Sequence, residues 1–193
     1  MKVILASASP RRKELMDLLN IPYEIIISQG EEIYNDSLNL EEQPKQIAYG
    51  KAKEVFDKTQ GDRIVIGADT LVLRNNQFYG KPKDDMDAIR MIKEIQDGKH
   101  QVITAFAILV QKEGQYIENV GNSVTDVYLK PISDREIENW IATGKHMDKA
   151  GAYGIQEEFS VYVKRIEGSY ATVLGFPIED IYDILKEYLL ETK

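Results

Sequence analysis

The sequence predicts an α/β or α+β fold around one mixed sheet, and three observations carry that reading. Apolar β-branched runs alternate with amphipathic segments early in the chain. Long strand-like runs joined by tight turns dominate the second half. No repeat, low-complexity tract or linker interrupts the 193 residues. That length suits a single domain over 1–193, with any smaller lobe drawn from around residues 100–160.

Each element has a local reason. Lys2–Ala6 is a short apolar run and reads as the first strand. Pro10–Leu19 follows as a helix: Ser9 suits the N-cap, Pro10 the first helical position, and Leu15, Leu18 and Leu19 one face. Tyr23–Ser28 (YEIIIS) is β-branched and reads as a strand, and Asn35–Leu40 as a polar loop. Glu41–Lys58 is a long helix with Pro44 in its first turn. Arg63–Leu73 (RIVIGADTLVL) is a buried strand with a small polar step inside it, and Asn75-Asn76 turns it into FYGKP. Asp84–Ile95 is an amphipathic helix with Met86, Ile89, Met91 and Ile92 on its apolar face. His100–Gln111 and Tyr116–Lys130 are strands joined by the hairpin signal Glu113-Gly114. Ser133 and Glu136 form a capping box ahead of a helix ending near Gly144. Asp148–Gln156 is glycine-rich and irregular. Ser160–Ile166 and Tyr170–Gly175 read as a second hairpin, and Pro177–Leu190 as the closing helix.

Composition removes several function classes. The absence of cysteine excludes a disulfide framework, a thiolate metal site and a thiol nucleophile, and fits a reducing compartment. The apolar run in MKVILASASP is too short for a signal-peptide core, and no stretch reaches membrane-spanning length. A cytoplasmic protein is expected. A net charge of −8 repels nucleic-acid backbones and anionic membranes, so neither is an expected partner. A small anionic ligand stays open if the cations gather in one place. His100 and His146 lack zinc-ligand spacing, and there is no G-x-S-x-G or Walker A loop, so serine-hydrolase and P-loop readings fall.

Arg11 and Arg12 in LASASPRRKEL are out of place by ordinary helix electrostatics. A helix N-terminus carries partial positive charge, where cations are unfavourable. Strand, serine-rich turn and helix start together present backbone N–H groups to an anion, and a polyphosphate there would engage both guanidinium groups. Taken alone, the stretch reads first as two solvated arginines after an ordinary cap, since the cost is tenths of a kcal/mol. In IVIGADT, Asp69 is a carboxylate carried inside an apolar run that resumes at Leu71-Val72-Leu73. Such a group needs a cation or a ligand crevice. Lys51 in AYGKA, Lys81 in YGKP and Lys149 in MDKAGAYGIQ are each ordinary surface lysines singly; with the arginines they make a triphosphate-binding set. Glu31 and Glu32 read on their own as a solvated loop, and with Asp69 as oxygen donors for a divalent cation. In DKAGAYGIQ, small residues allow close backbone approach, Tyr153 offers a ring to stack and Gln156 an amide with donor and acceptor; a compact structural loop is the competing reading.

Taken in order, LASASPRRKEL, Lys51-Ala52, GADT, GKP, Val102–Ala105 (VITA), DKAGAYGIQ and Gly175–Pro177 (GFP) resemble the Maf family of nucleoside triphosphate pyrophosphatases nearly end to end. The resemblance implies a fold like that of inosine triphosphate pyrophosphatases: a long mixed twisted sheet flanked by helices, and two lobes with a central cleft. It implies hydrolysis of a nucleoside triphosphate to monophosphate and pyrophosphate with a divalent metal, Mg or Mn. It assigns Asp69 as proton acceptor with Lys51 and Lys81 beside it in catalysis, Ser7, Ser9, Arg11, Arg12, Lys51 and Lys81 to the phosphates, and Glu32 with Asp69 to the metal. Arg11, Thr70 and Gln156 match the subgroup acting on dTTP and UTP. Its implied partners are the substrate and, as an option, a second copy in a homodimer. It also suggests a house-cleaning role or a part in cell-division arrest. The rival reading is a nucleotide-binding regulator of septum formation with little turnover. One departure stands out: Glu157-Glu158 follow GIQ, where family members often carry a glycine-containing pair.

Overall fold

The structure, a computed structural model, describes residues 1–30 and 39–189. Glu31, Glu32 and most of the loop expected over Asn35–Leu40 lie outside them. The elements run β1 (Lys2–Leu5), α1 (Pro10–Leu18), β2 (Glu24–Ile25), α2 (Glu42–Asp57), β3 (Arg63–Arg74), β4 (Gln77–Tyr79), α3 (Asp85–Ile95), β5 (Gly98–Lys112), β6 (Gln115–Leu129), α4 (Asp134–Ile141), β7 (Val163–Glu167), α5 (Tyr170–Leu174) and α6 (Ile178–Leu189). The strands form one mixed sheet in the order β2-β1-β3-β5-β6-β7, with β4 paired to β3. β1 runs parallel to both β2 and β3, while β3–β4 and β6–β7 are antiparallel. The α/β reading with a mixed sheet therefore holds.

The chain forms two compact units. The first comprises Met1–Asp69, Thr104–Ser123 and Gly175–Lys193. Its core includes Ile4, Ala6, Ala48, Ala52, Val55, Val65, Ala105 and Ala107. The second comprises Thr70–Ile103 and Val124–Leu174, and α3, α4 and the aromatic residues Trp140, Tyr153 and Phe159 supply much of its core.

Tight turns follow the residues expected of them. Asn75 and Asn76 both take positive φ, 50° and 59°, and Glu113 and Gly114 take 51° and 82°. Two consecutive positive-φ residues give the turn whose twist matches a β-hairpin. The Ser133–Glu136 capping box forms on both sides.

Four expectations change. The strand expected over Tyr23–Ser28 shortens to Glu24–Ile25, because the backbone N–H groups of Gln29 and Gly30 and the Ser28 hydroxyl turn to the Glu54 carboxylate. Tyr170–Leu174 is helical, not the arm of a hairpin: Ser169 Oγ accepts from Ala171 N at 3.1 Å and Thr172 N at 3.4 Å, an N-cap. On α1, Leu18 is exposed, and the inward stripe is Arg12, Leu15, Met16 and Leu19. The helical spacing i, i+3, i+4, i+7 is intact, but its first member is an arginine, which hides the stripe in the sequence. On α3, Met86 is exposed and Ala88, Met91, Ile92 and Ile95 are buried.

Candidate functional site

The serine-rich turn is built around Arg12. β1 delivers the chain beside β3, with Leu5 opposite Ile66 and Ala6 N donating to Ile66 O at 2.8 Å. Ser7 follows, buried, and its Oγ accepts from Ser9 N at 3.3 Å and from Arg12 Nη1 at 3.1 Å. Arg12 Nε donates to Gly175 O at 2.8 Å, so LASASPRRKEL and GFP meet at this side chain. Ser9 holds the N-cap backbone position, but its hydroxyl makes no capping bond, and no acidic residue occupies the first turn of α1. Arg11 is half-buried. These features leave a helix start with cations and no carboxylate in its first turn, the electrostatic setting that suits an anion.

Lys51 and Asp69 form the second part. Lys51 Nζ donates to Asp69 Oδ1 at 2.7 Å, and the side chains are only 14% and 7% exposed. Burying two charges costs several kcal/mol each and is tolerated because they compensate one another. The packing that brings them together explains two small-residue motifs at once. A Cβ on Gly67 would lie 2.3 Å from Ala48 O and 2.8 Å from Ala52 N. Only glycine on β3 and alanine on α2 allow this approach, and it places Lys51 of the helix against Asp69 of the strand.

Glu54, one helical turn after Lys51, was not singled out by the sequence. Its carboxylate accepts from Lys58 Nζ at 2.6 Å, Ser28 Oγ at 2.5 Å and Gly30 N at 2.8 Å. The Lys58 bond first, then those from Ser28 and Gly30, hold its carboxyl down at about 2. Its i+3 spacing from Lys51 on one helix was the available signal.

In the second unit, the GKP and DKAGAYGIQ stretches meet. Gly151 N donates to Gly80 O at 3.0 Å. Gly151 has φ +67°, and a Cβ there would lie 2.9 Å from Val72 Cγ2, so both backbone conformation and space demand glycine. Thr70 is half-buried at the start of this unit, while Lys81 and Gln156 are exposed. Trp140 Nε1 donates to Ala152 O at 2.9 Å, and His146 Nε2 lies 3.0 Å from Asp85 Oδ1, pinning the loop further. Tyr153 is not a stacking platform: it is buried, its hydroxyl 2.8 Å from His100 Nε2 and its ring against Phe159. Here the structural-loop reading wins. Burial first, and then the Arg74 charge, lower the His100 pKa to about 4. Lys149 is buried rather than displayed, its Nζ donating to Lys145 O and to Asp148 Oδ1.

Among the described residues no group of three or more His, Asp or Glu side chains is placed to hold a metal. Glu32 lies outside those residues. Asp69 supplies a buried, hard carboxylate donor. That fits a magnesium-type ion, which usually takes one or two carboxylates and completes its shell with water and substrate phosphates. No helix among the described residues is long and apolar enough to cross a membrane.

Comparison with known proteins follows the same motifs. A dTTP/UTP pyrophosphatase of Alkaliphilus oremlandii (strain OhILAs) is 46% identical over 187 residues, covering 97% of this chain and 96% of that protein. A dTTP/UTP pyrophosphatase of Alkaliphilus metalliredigens (strain QYMF) is 41% identical with the same coverage. Among solved structures, a HAM1 protein of Coxiella burnetii matches over 97% of this chain and 99% of its own, at 13% identity and a TM-score of 0.48, a likeness too distant to bear on activity. The profile of the family described as Maf-like protein matches residues 2–188, and with relatives of such identity over nearly the whole length, the chain belongs to that family.

Proposed function

We propose that this protein is a nucleoside triphosphate pyrophosphatase that hydrolyses dTTP and UTP to the monophosphate and pyrophosphate. The observation that carries the reading is the buried Lys51–Asp69 pair at 2.7 Å, with Asp69 inside β3 three residues past Ile66, where the parallel pairing with β1 ends. The names of the two Alkaliphilus relatives support the substrate choice. In this reading Asp69 orients a water molecule and accepts its proton as the water oxygen bonds to the α-phosphorus. The bond from that phosphorus to the bridging oxygen breaks, and pyrophosphate leaves with the electron pair. Lys51 keeps the Asp69 carboxylate in place and compensates its burial. Arg11, Arg12 and Lys81 neutralise phosphate oxygens, and Ser7 and Ser9 shape the turn that receives them. Asp69, with Glu32 as the further ligand the family resemblance names, would hold a divalent cation, which would supply additional charge neutralisation on the phosphates. Arg11, Thr70 and Gln156 set the base preference, Gln156 by offering an amide to the pyrimidine edge.

Asp69→Asn tests the reading. Pyrophosphate release should be abolished, while nucleotide affinity stays within about tenfold of the parent, roughly 1.4 kcal/mol. Near-normal turnover by the variant removes Asp69 from the mechanism. A parent protein that binds UTP tightly with magnesium but releases no product supports the regulator of septum formation instead.

A further inference from the structure

Gln156 is followed by a carboxylate that sits between two lysines. Glu157 Oε1 lies 3.6 Å from Lys149 Nζ, and Oε2 lies 3.5 Å from Lys145 Nζ, whose shorter bonds, 2.7 and 2.9 Å, go to Glu158. Lys149 is itself fixed by its bonds to Lys145 O at 2.5 Å and Asp148 Oδ1 at 2.7 Å. Its stem crosses Gly154 so closely that a Cβ there would lie 2.6 Å from Lys149 Cε and 2.8 Å from Glu157 Cγ. The backbone closes the same loop, with Glu157 N donating to Gly154 O at 3.2 Å and Ser160 N to Glu157 O at 2.9 Å. Against this carboxylate stands the Gln156 amide, its Nε2 at 3.5 Å from Glu157 Oε1.

We propose that Glu157 is a positioning residue that sets the amide orientation of Gln156, and through it the preference for uracil or thymine over cytosine. The argument rests on the pyrimidine triphosphate reading above. A carboxylate attracts the NH2 end of a neighbouring amide and repels its oxygen; the opposite flip would bring two oxygens face to face. With the nitrogen held toward Glu157, Gln156 presents its carbonyl oxygen. Uracil and thymine carry N3–H, a donor that this oxygen accepts. Cytosine N3 is an unprotonated acceptor, so the same oxygen meets a lone pair. A Gln156 released from Glu157 turns its NH2 to cytosine N3 as readily as its oxygen to uracil N3–H, and the discrimination fades. This gives the Glu157-Glu158 departure from the family pattern a specific consequence.

The test compares kcat/KM for UTP and CTP, with magnesium, in the parent, Glu157→Gln and Glu157→Ala. Glu157→Gln keeps the shape but removes the charge that attracts the Gln156 NH2, and a merely structural role, lost with the same charge, would change UTP and CTP alike and leave their ratio unmoved. The parent should favour UTP. In both variants the UTP:CTP ratio should fall by about tenfold, the worth of one hydrogen bond made or refused, with the change carried by the KM for CTP. A ratio unchanged in Glu157→Gln overturns the proposal, and Glu157→Ala gives the same decision if the first variant does not fold. A parent that hydrolyses UTP and CTP equally overturns the proposal and leaves the pyrimidine reading standing. A parent that releases pyrophosphate from neither UTP nor dTTP overturns both.

Discussion

Arg12 turns its guanidinium toward protein acceptors, Ser7 Oγ and Gly175 O, and so takes the place of an apolar residue on the inward face of α1. Its position was legible in the sequence and its packing was not, because one bonding partner lies 163 residues away. Asp69 was legible for the opposite reason: a carboxylate inside an apolar run contradicts its immediate neighbours. Tyr153 misled, since a ring flanked by glycines suits a ligand loop and a core equally well. Its partner His100 yields a testable pH dependence. Burial holds the folded-state imidazole neutral down to about 4, against an ordinary value of 6.5. Between these values the unfolded chain binds a proton that the folded chain does not, so stability is retained above 6.5 and lost as pH falls through this window. Urea unfolding followed from pH 7 to pH 4 should show a loss on the order of 3 kcal/mol attributable to this residue. Replacement by Gln should flatten the slope over that range; an equal slope in the variant assigns the acid sensitivity elsewhere.

Elements with local signals were the ones the sequence placed well. The α4 capping box needs only Ser133 and Glu136, and the β5–β6 turn only Glu113-Gly114. The short helix α5 escaped notice because YATVLG is rich in β-formers and its cap is a single Ser169 hydroxyl. The contact of α2 with β3 lies between these cases: the GADT and Lys51-Ala52 motifs are visible, but the reason for Gly67 appears only when the helix is laid on the strand. Gly67→Ala tests that contact. The new methyl would sit 2.3 Å from a backbone carbonyl, which no rotamer change relieves. Helix and strand must separate, at a cost of about 1–3 kcal/mol for overpacking, and Lys51 moves off Asp69. The thermal midpoint and the turnover should fall together. A variant with parental values of both would mean the close approach does not set the pair.

At the scale of the whole molecule, alternating strands and helices at the start and long hairpin strands later were enough to read a mixed sheet. The strand order was not legible, because β1 pairs with β3 across the intervening α1, β2 and α2 and the partner of a parallel strand leaves no local trace. Nor was it legible which motif segments meet: LASASPRRKEL with GFP in one unit, GKP with DKAGAYGIQ in the other. In the proposed mechanism Asp69 directs water at the α-phosphorus of a pyrimidine nucleoside triphosphate. Hydrolysis of UTP in water enriched in oxygen-18, with magnesium and mass analysis of both products, tests this most directly. One labelled oxygen is expected in UMP and none in the pyrophosphate. Label in the pyrophosphate, or UDP and orthophosphate as products, would contradict it.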